Sequence, residues 1–210
     1  MEKLNIAVLG STRGTDMQAI IDAQIPISVV ISDKQDAYIL KRAEKYNIPA
    51  VFISAKGKTR EEYDQTLLII LAKYEVDLIL CIGWMRILSS KFVKAYPKKI
   101  VNIHPSLLPK YAGGMDLNVH EEVLKNNETE SGCTLHWIDE GVDTGKIILQ
   151  KKVDIKTGET PESLKKKVQK AEGEAFVEFL KERMGAPGFR PVGGLSYTDV
   201  SGRRSGNQPG

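Results

Sequence analysis

The sequence predicts an α/β fold: a doubly wound, mostly parallel sheet, mixed at one edge, with helices on both faces. Three patterns support this. Short β-branched runs alternate with longer amphipathic ones through the first half of the chain. The short runs are apolar throughout rather than at every second residue, as in strands buried on both sides beneath crossover helices. In the second half, two strand-like runs follow each other across a short turn-rich link, which suits a hairpin or a mixed sheet edge.

The elements follow in order. Strands are expected at 6–9, 27–31, 50–53, 78–82 and 100–103, with helices at 16–23, 36–46, 60–74 and 89–95 between them. Thr59 and Glu62 form a Thr-x-x-Glu capping box, and Asn47-Ile48-Pro49 closes the helix before it. After a Pro- and Gly-containing stretch, a helix is expected at 119–125, then strands at 133–138 and 147–153. Thr160-Pro161 opens a long helix, Thr as N-cap and Pro in the first turn. Leu164, Val168, Ala171, Ala175 and Phe179 give that helix one apolar face. In such folds ligands bind at the carboxyl ends of the strands.

Composition narrows the function. The chain has 210 residues, 41% apolar and 27% charged, with a net charge of +3. That is the profile of a soluble globular protein, and one domain is expected over 1–184. Residues 185–210 are rich in Gly, Pro, Ser and Arg, so a disordered or loosely attached tail is expected there. The mild positive charge suits small anionic ligands but is too weak and dispersed for nucleic acid. The two cysteines, Cys81 and Cys133, lie in apolar stretches without CxxC spacing and read as buried free thiols. No apolar run approaches membrane-spanning length and no signal peptide is evident. A cytoplasmic protein is expected, with small-molecule partners, no membrane or nucleic acid, and a monomeric or homodimeric state.

The segment Lys99-Ile100-Val101-Asn102-Ile103-His104-Pro105 carries the chemistry. Strand side chains alternate faces, so Asn102 and His104 point the same way, about 7 Å apart. Pro105 cannot continue a central ladder, which sets the pair at the strand's carboxyl end. An amide donor beside an imidazole can hold an oxyanion and move a proton. The same pair could equally be polar capping of a strand end. Asp143 lies in a turn-rich loop, where it reads either as an ordinary turn residue or as a carboxylate brought to His104. The remaining histidines, His120 and His136, make no HxH or HxxxH pair, so no metal is expected, and His136 is expected on a polar sheet face. The loop from Gly10 to Gln18 lacks both common phosphate fingerprints. It still offers Gly14 and a helix N-terminus to an anion.

These segments together resemble the formyltransferase superfamily from about residue 4 to residue 180. The likeness is strongest in Asn102-Ile103-His104-Pro105-Ser106-Leu107-Leu108-Pro109-Lys110-Tyr111. Gly83-Trp84-Met85-Arg86-Ile87-Leu88 and Val142-Asp143-Thr144-Gly145 reinforce it. The resemblance implies a Rossmann-like formyltransferase fold and the purine (IMP) biosynthesis branch, in which 10-formyltetrahydrofolate is the co-substrate and the amine of glycinamide ribonucleotide the acceptor. It implies that Asn102 and His104 hold a tetrahedral oxyanion while Asp143 supports the charged His104. By the same resemblance Met85, Arg86, Ile87, Leu88, Val93, Asn102, Ile138 and Val142 line a pterin pocket, and Arg60 contacts the folate. Gly14, Thr15 and Asp16 match its phosphate loop, and Lys170 and Glu172 its acceptor-binding helix.

Two departures stand out. The family loop usually reads Ser-Gly-x-Gly-Ser-Asn, whereas Thr12 and Asp16 stand here for its first Gly and its Asn. An Asp repels phosphate unless it caps the helix and turns away. The stretch 113–120 is longer than the usual family loop. Within the superfamily, a tRNA formyltransferase would carry a further C-terminal domain, for which this chain ends too soon, and a hydrolase an N-terminal regulatory one. An amino sugar nucleotide formyltransferase keeps the same three residues, and a non-catalytic nucleotide-binding module keeps the same sheet.

Overall fold

The computed structural model describes residues 4–114 and 117–185. The expected tail beyond Gly185, and Met115 and Asp116 of the long 113–120 stretch, lie outside the described residues. Seven strands and six helices alternate: β1 (Ile6–Leu9), α1 (Thr15–Asp22), β2 (Val29–Ser32), α2 (Tyr38–Lys45), β3 (Ala50–Phe52), α3 (Arg60–Lys73), β4 (Leu78–Cys81), α4 (Ser90–Ala95) and β5 (Ile100–His104), then α5 (Leu117–Lys125), β6 (Glu130–Trp137), β7 (Ile147–Asp154) and α6 (Pro161–Arg183). All form one sheet in the order β3-β2-β1-β4-β5-β6-β7. Strands β3 to β5 run parallel, while β6 is antiparallel to β5 and β7 to β6. The doubly wound sheet with a mixed edge is therefore present, and chain order reverses between β1 and β4. Loops leaving the carboxyl ends of those two strands diverge and open a crevice.

The continuous apolar runs have the expected cause. On β1, Ile6 and Val8 enter one core while Ala7 and Leu9 enter the other. On β4, Leu78 and Leu80 share the first core, and Ile79 and Cys81 the second. Residues from α1, α2, α5 and α6 complete the first core, and residues from α3 and α4 the second. Strands β1 and β4 thus bury both faces, and the hydrophobic effect is spent on two layers at once.

Local sequence sets most boundaries. Thr59 Oγ1 accepts from Glu62 N–H at 3.2 Å and Glu62 returns the bond to Thr59 N–H at 2.8 Å, closing the expected capping box. Thr160 caps α6 through Ser163 N–H, with Pro161 in the first turn. Strand β2 starts two residues later than expected. Its pairing with β1 begins at Val29, and Ile25 and Ile27 ahead of it are buried in the first core outside the ladder. Helix α2 starts at Tyr38 rather than residue 36, because Ser32 Oγ accepts from Lys34 N–H and holds a turn first. Among the described residues no helix is long and apolar enough to cross a membrane.

Helix α6 is the longest element and is not purely apolar on its inner side: Glu172 and Gly173 are buried with Phe176 and Phe179. A Cβ on Gly173 would lie 2.7 Å from Ala19 Cβ, so the glycine lets α1 and α6 come close. Phe176 is fully buried in the first core. Phe176→Ala is expected to lower the unfolding free energy by about 3–5 kcal/mol, since the cavity adds to the lost transfer energy. Urea denaturation measures this; a loss below about 1 kcal/mol would contradict the core position assigned to α6.

Candidate active site

A cavity of about 460 Å³ lies at the carboxyl ends of β1, β4 and β5. Its floor is made by Asn102 and His104, its walls by the loops 12–16, 82–88 and 138–143, and its far end by His120 of α5 and Lys165, Gln169 and Glu172 of α6. The volume suits a drug-sized ligand or two smaller ones. The loops are tied to each other: Ser11 Oγ accepts from Met85 N–H at 3.1 Å, and the Arg86 guanidinium sits 4.2 Å over the Tyr63 ring. Met85, Ile87 and Val142 are exposed apolar side chains at the cavity's rim, the character of a surface that receives an apolar ring.

Asn102 and His104 point into the cavity as strand periodicity demands, and His104 is the last residue of β5. The antiparallel partner β6 sets His136 directly opposite Asn102. Beyond β6 the chain turns back through Asp143, which adopts a left-handed φ of 54°. Asp is among the residues that tolerate that region. The turn delivers its carboxylate to two hydrogen-bonding nitrogens, His104 Nδ1 and Gly113 N, and sets it beside the His136 ring. Asp143 Oδ2 lies 3.1 Å from His104 Nδ1 and accepts from Gly113 N–H at 2.9 Å, while Oδ1 lies 3.5 Å from His136 Nε2. Burial pushes the Asp143 carboxyl up, but hydrogen bonds from His104, His136 and Gly113 more than reverse it and hold it well below the usual carboxylate range.

Of the contacts that oppose burial, His104 is the largest. His136 Nδ1–H donates to the Trp137 carbonyl at 3.0 Å, which leaves its Nε2 as the acceptor for Asn102 Nδ2–H at 3.2 Å and weakens its longer contact to Asp143. His104 differs. Its Nε2 faces the Tyr111 carbonyl at 2.9 Å and its Nδ1 the Asp143 carboxylate. Both partners only accept, so both contacts are hydrogen bonds when the ring carries two protons. The ring is 3% exposed, and the paired carboxylate compensates that charge in a water-poor setting.

At the other end, Gly14 serves as N-cap of α1 with φ 64°. A Cβ there would lie 2.4 Å from Ile39 Cγ1, so only glycine fits this turn. Residues 12–16 line the cavity, which opens the first-turn N–H groups of α1 toward it. Asp16 does not cap the helix, in contrast to the arrangement under which it would turn away from an anion. It is the second residue of α1, 8% exposed, and its Oδ1 has no hydrogen-bond partner. Burial pushes its carboxyl up to about 7. Burial, with the charge of Asp16 beside it, likewise pushes Glu172 well above the usual range, against an opposing pull from Lys165. The helix N-terminus favours a charged Asp by only about 0.3–1 kcal/mol, which burial beside a second carboxyl outweighs.

The structure thus brings Asn102, His104, Asp143, Met85, Arg86, Ile87, Leu88, Ile138, Val142, Gly14, Thr15, Asp16 and Glu172 to one cavity. Three expected residues stand apart from its lining. Arg60 is the exposed first residue of α3, Val93 packs against the second core, and Lys170 faces solvent, 4.0 Å from Glu174. Helical spacing turns Lys165 and Gln169 to the cavity with Glu172 instead. His136, expected on a polar sheet face, lines the cavity on the face that carries Asn102, 2% exposed and bonded to it. Its register opposite Asn102 was the missing signal, and pairing across antiparallel strands is not written in either strand alone. The backbone groups Tyr111 C=O and Gly113 N–H have no sequence signal at all.

Comparison with known proteins places the chain in a family. A family profile described as formyl transferase matches residues 4–180, and the chain belongs to that family. It is 42% identical over 183 residues to phosphoribosylglycinamide formyltransferase of Haemophilus influenzae, covering 84% of this chain and 85% of that one. The solved structure of phosphoribosylglycinamide formyltransferase from Coxiella burnetii aligns with a TM-score of 0.82 and 40% identity over 88% of each chain. The trifunctional purine biosynthetic protein adenosine-3 of Drosophila melanogaster is 44% identical over 184 residues, 83% of this chain; the match spans only 13% of that relative's length.

The depressed Asp143 makes a pH prediction. A carboxyl held below its unfolded value of about 3.9 adds stability above that pH and loses it as pH falls. Between about pH 5 and pH 2 the wild type should therefore lose more stability than Asp143→Asn, measured as urea midpoints at each pH. Parallel curves would show that the carboxylate is not held as described.

Proposed function

We propose that this chain transfers a formyl group from 10-formyltetrahydrofolate to the amine of glycinamide ribonucleotide, a step of purine biosynthesis. The observation that carries the reading is the His104–Asp143 pair beside Asn102 on the floor of the cavity, in a chain of the formyl transferase family. The names of its bacterial relatives and the two-ended cavity support this pair of substrates. The apolar rim around Met85, Ile87 and Val142 takes the pterin, and the N-terminus of α1 takes the acceptor's phosphate.

The acceptor amine attacks the formyl carbon over Asn102 and His104. The formyl oxygen becomes a tetrahedral oxyanion, a stronger acceptor than a neutral carbonyl. His104 Nε2–H therefore moves from the Tyr111 carbonyl to that oxygen. Asn102 donates one amide N–H to His136, which fixes its plane, and presents the other to the same oxygen. Asp143 balances the imidazolium, so the proton that His104 holds costs little while charge develops. As the intermediate collapses, the C–N bond to the folate nitrogen breaks. The proton lost by the attacking amine returns to that nitrogen through His104 or solvent.

A formyl-transfer assay with the two substrates tests this. Asn102→Ala, His104→Ala and Asp143→Asn should each lower kcat by about 10²–10⁴ with smaller changes in KM, since each removes stabilisation used in the transition state. Undiminished turnover in all three would sink the mechanism. Turnover with an amino sugar nucleotide but not with glycinamide ribonucleotide would keep the mechanism and replace the acceptor.

A further inference from the structure

The acceptor end of the cavity contains a contradiction that the reaction does not use. A helix N-terminus opens there toward an anion, yet its second residue is an acid, and a second acid faces it from α6. We infer that Asp16 and Glu172 keep a proton between them, and that Asp16 donates it in a hydrogen bond to the phosphate of the acceptor, which ties anion binding to proton binding. The inference rests on the proposed acceptor and adds a specificity element to it.

Geometry supports it independently of titration. Asp16 Oδ1 is buried without a hydrogen-bond partner, and the residue lines the cavity. A buried carboxylate oxygen without a donor is costly, whereas a protonated carboxyl waiting for an anionic acceptor is not. Gly14 has taken the N-cap position, so the side chain has no role at the helix end. Gly173 brings α6 against Ala19, and Glu172, next in sequence, is 7% exposed. Two buried carboxyls in electrostatic contact do not both ionise near neutral pH.

The surrounding charges leave that conclusion standing. From α6, Lys165 pulls Glu172 toward its charged form, but less than burial and Asp16 push it the other way. From the loop before α1, Arg13 is exposed and its guanidinium lies 5.9 Å from the centroid of the Tyr38 ring. From α2, Arg42 is held by Gln18 and by the Arg13 carbonyl. From α5, His120 lines the same end of the cavity. From β6, the buried Cys133 thiol is itself pushed up, in part by the charges of Glu172 and Asp16, and so adds no charge of its own. Asp16 takes up its proton as pH falls through about 7. A phosphate monoester has its second ionisation near about 6, so above neutrality the phosphate is a dianion, while the acceptor's own amine, an α-amine with a pKa near about 8, titrates alike with wild type and variant and cancels in their ratio.

The test is acceptor KM against pH, from about 6.5 to about 8.5, for wild type and Asp16→Asn. An asparagine donates N–H at every pH. The ratio of the wild-type acceptor KM to that of Asp16→Asn, in which the amine's own titration cancels, should rise toward about tenfold per pH unit at the alkaline end, with the KM of the folate unchanged. Identical profiles for the two proteins would overturn the inference. If glycinamide ribonucleotide is not a substrate at any pH, the proposed acceptor fails on its own. The proton is then read in the ligand-free protein, by infrared spectroscopy of the protonated carboxyl C=O band. A band that titrates near neutrality and is altered in both Asp16→Asn and Glu172→Gln sustains the shared proton, and its absence overturns it.

Discussion

The catalytic end of this molecule depends on one carboxylate reaching across a sheet edge. Asp143 sits beyond the end of β6, in a left-handed turn, and accepts from groups that belong to β5 and to the chain that follows it. Removing the His104 contact would leave an imidazole facing a carbonyl with no counter-charge, in a setting where water contributes little. Removing the Gly113 contact would release the segment after β5 that carries the Tyr111 carbonyl. Strand β6 runs antiparallel to β5 and sets His136 opposite Asn102, and the loop that leaves it beside Ile100 folds back along the sheet to bring Asp143 to His104. The mixed edge is thus a functional part of the fold.

His136 links this grip to the amide. It accepts from Asn102, is fixed by its own strand's carbonyl and lies 3.5 Å from Asp143, so the two donors on the floor are set by one connected group of neighbours. An amide held in this way does not have to reorient when charge appears, and His104 has only to exchange one acceptor, the Tyr111 carbonyl, for another. At the far end the cavity changes character, from apolar rim and fixed donors to a helix N-terminus with two buried acids. One pocket therefore offers two chemically distinct halves that meet over Asn102 and His104.

How much of this was legible in the sequence follows from the range of each interaction. Alternation along a strand is local, so Asn102 and His104 could be assigned to one face, and Pro105 to its end, from a few residues. Continuous apolar runs gave the parallel sheet, and Thr59-x-x-Glu62 and Thr160-Pro161 gave two helix starts, for the same reason. Asp143 was a choice between two readings, because what decides it is a turn conformation and a contact 39 residues back in the chain. The resemblance, not the local sequence, favoured the functional one. His136 was legible as a residue of a polar sheet face but not as a partner of Asn102, since that needs the β5–β6 register. Asp16 was legible as a departure that suits an anion only if it caps the helix, and the structure gives the cap position to Gly14 instead.

The central claim is that His104 and Asp143 act as one unit. A double-mutant cycle in kcat/KM with His104→Ala and Asp143→Asn measures it most directly, because residues that share a function lose it together. The account predicts that the double variant is no worse than the poorer single variant, within about threefold. Losses that multiply would mean that the two side chains contribute independently, and would contradict it.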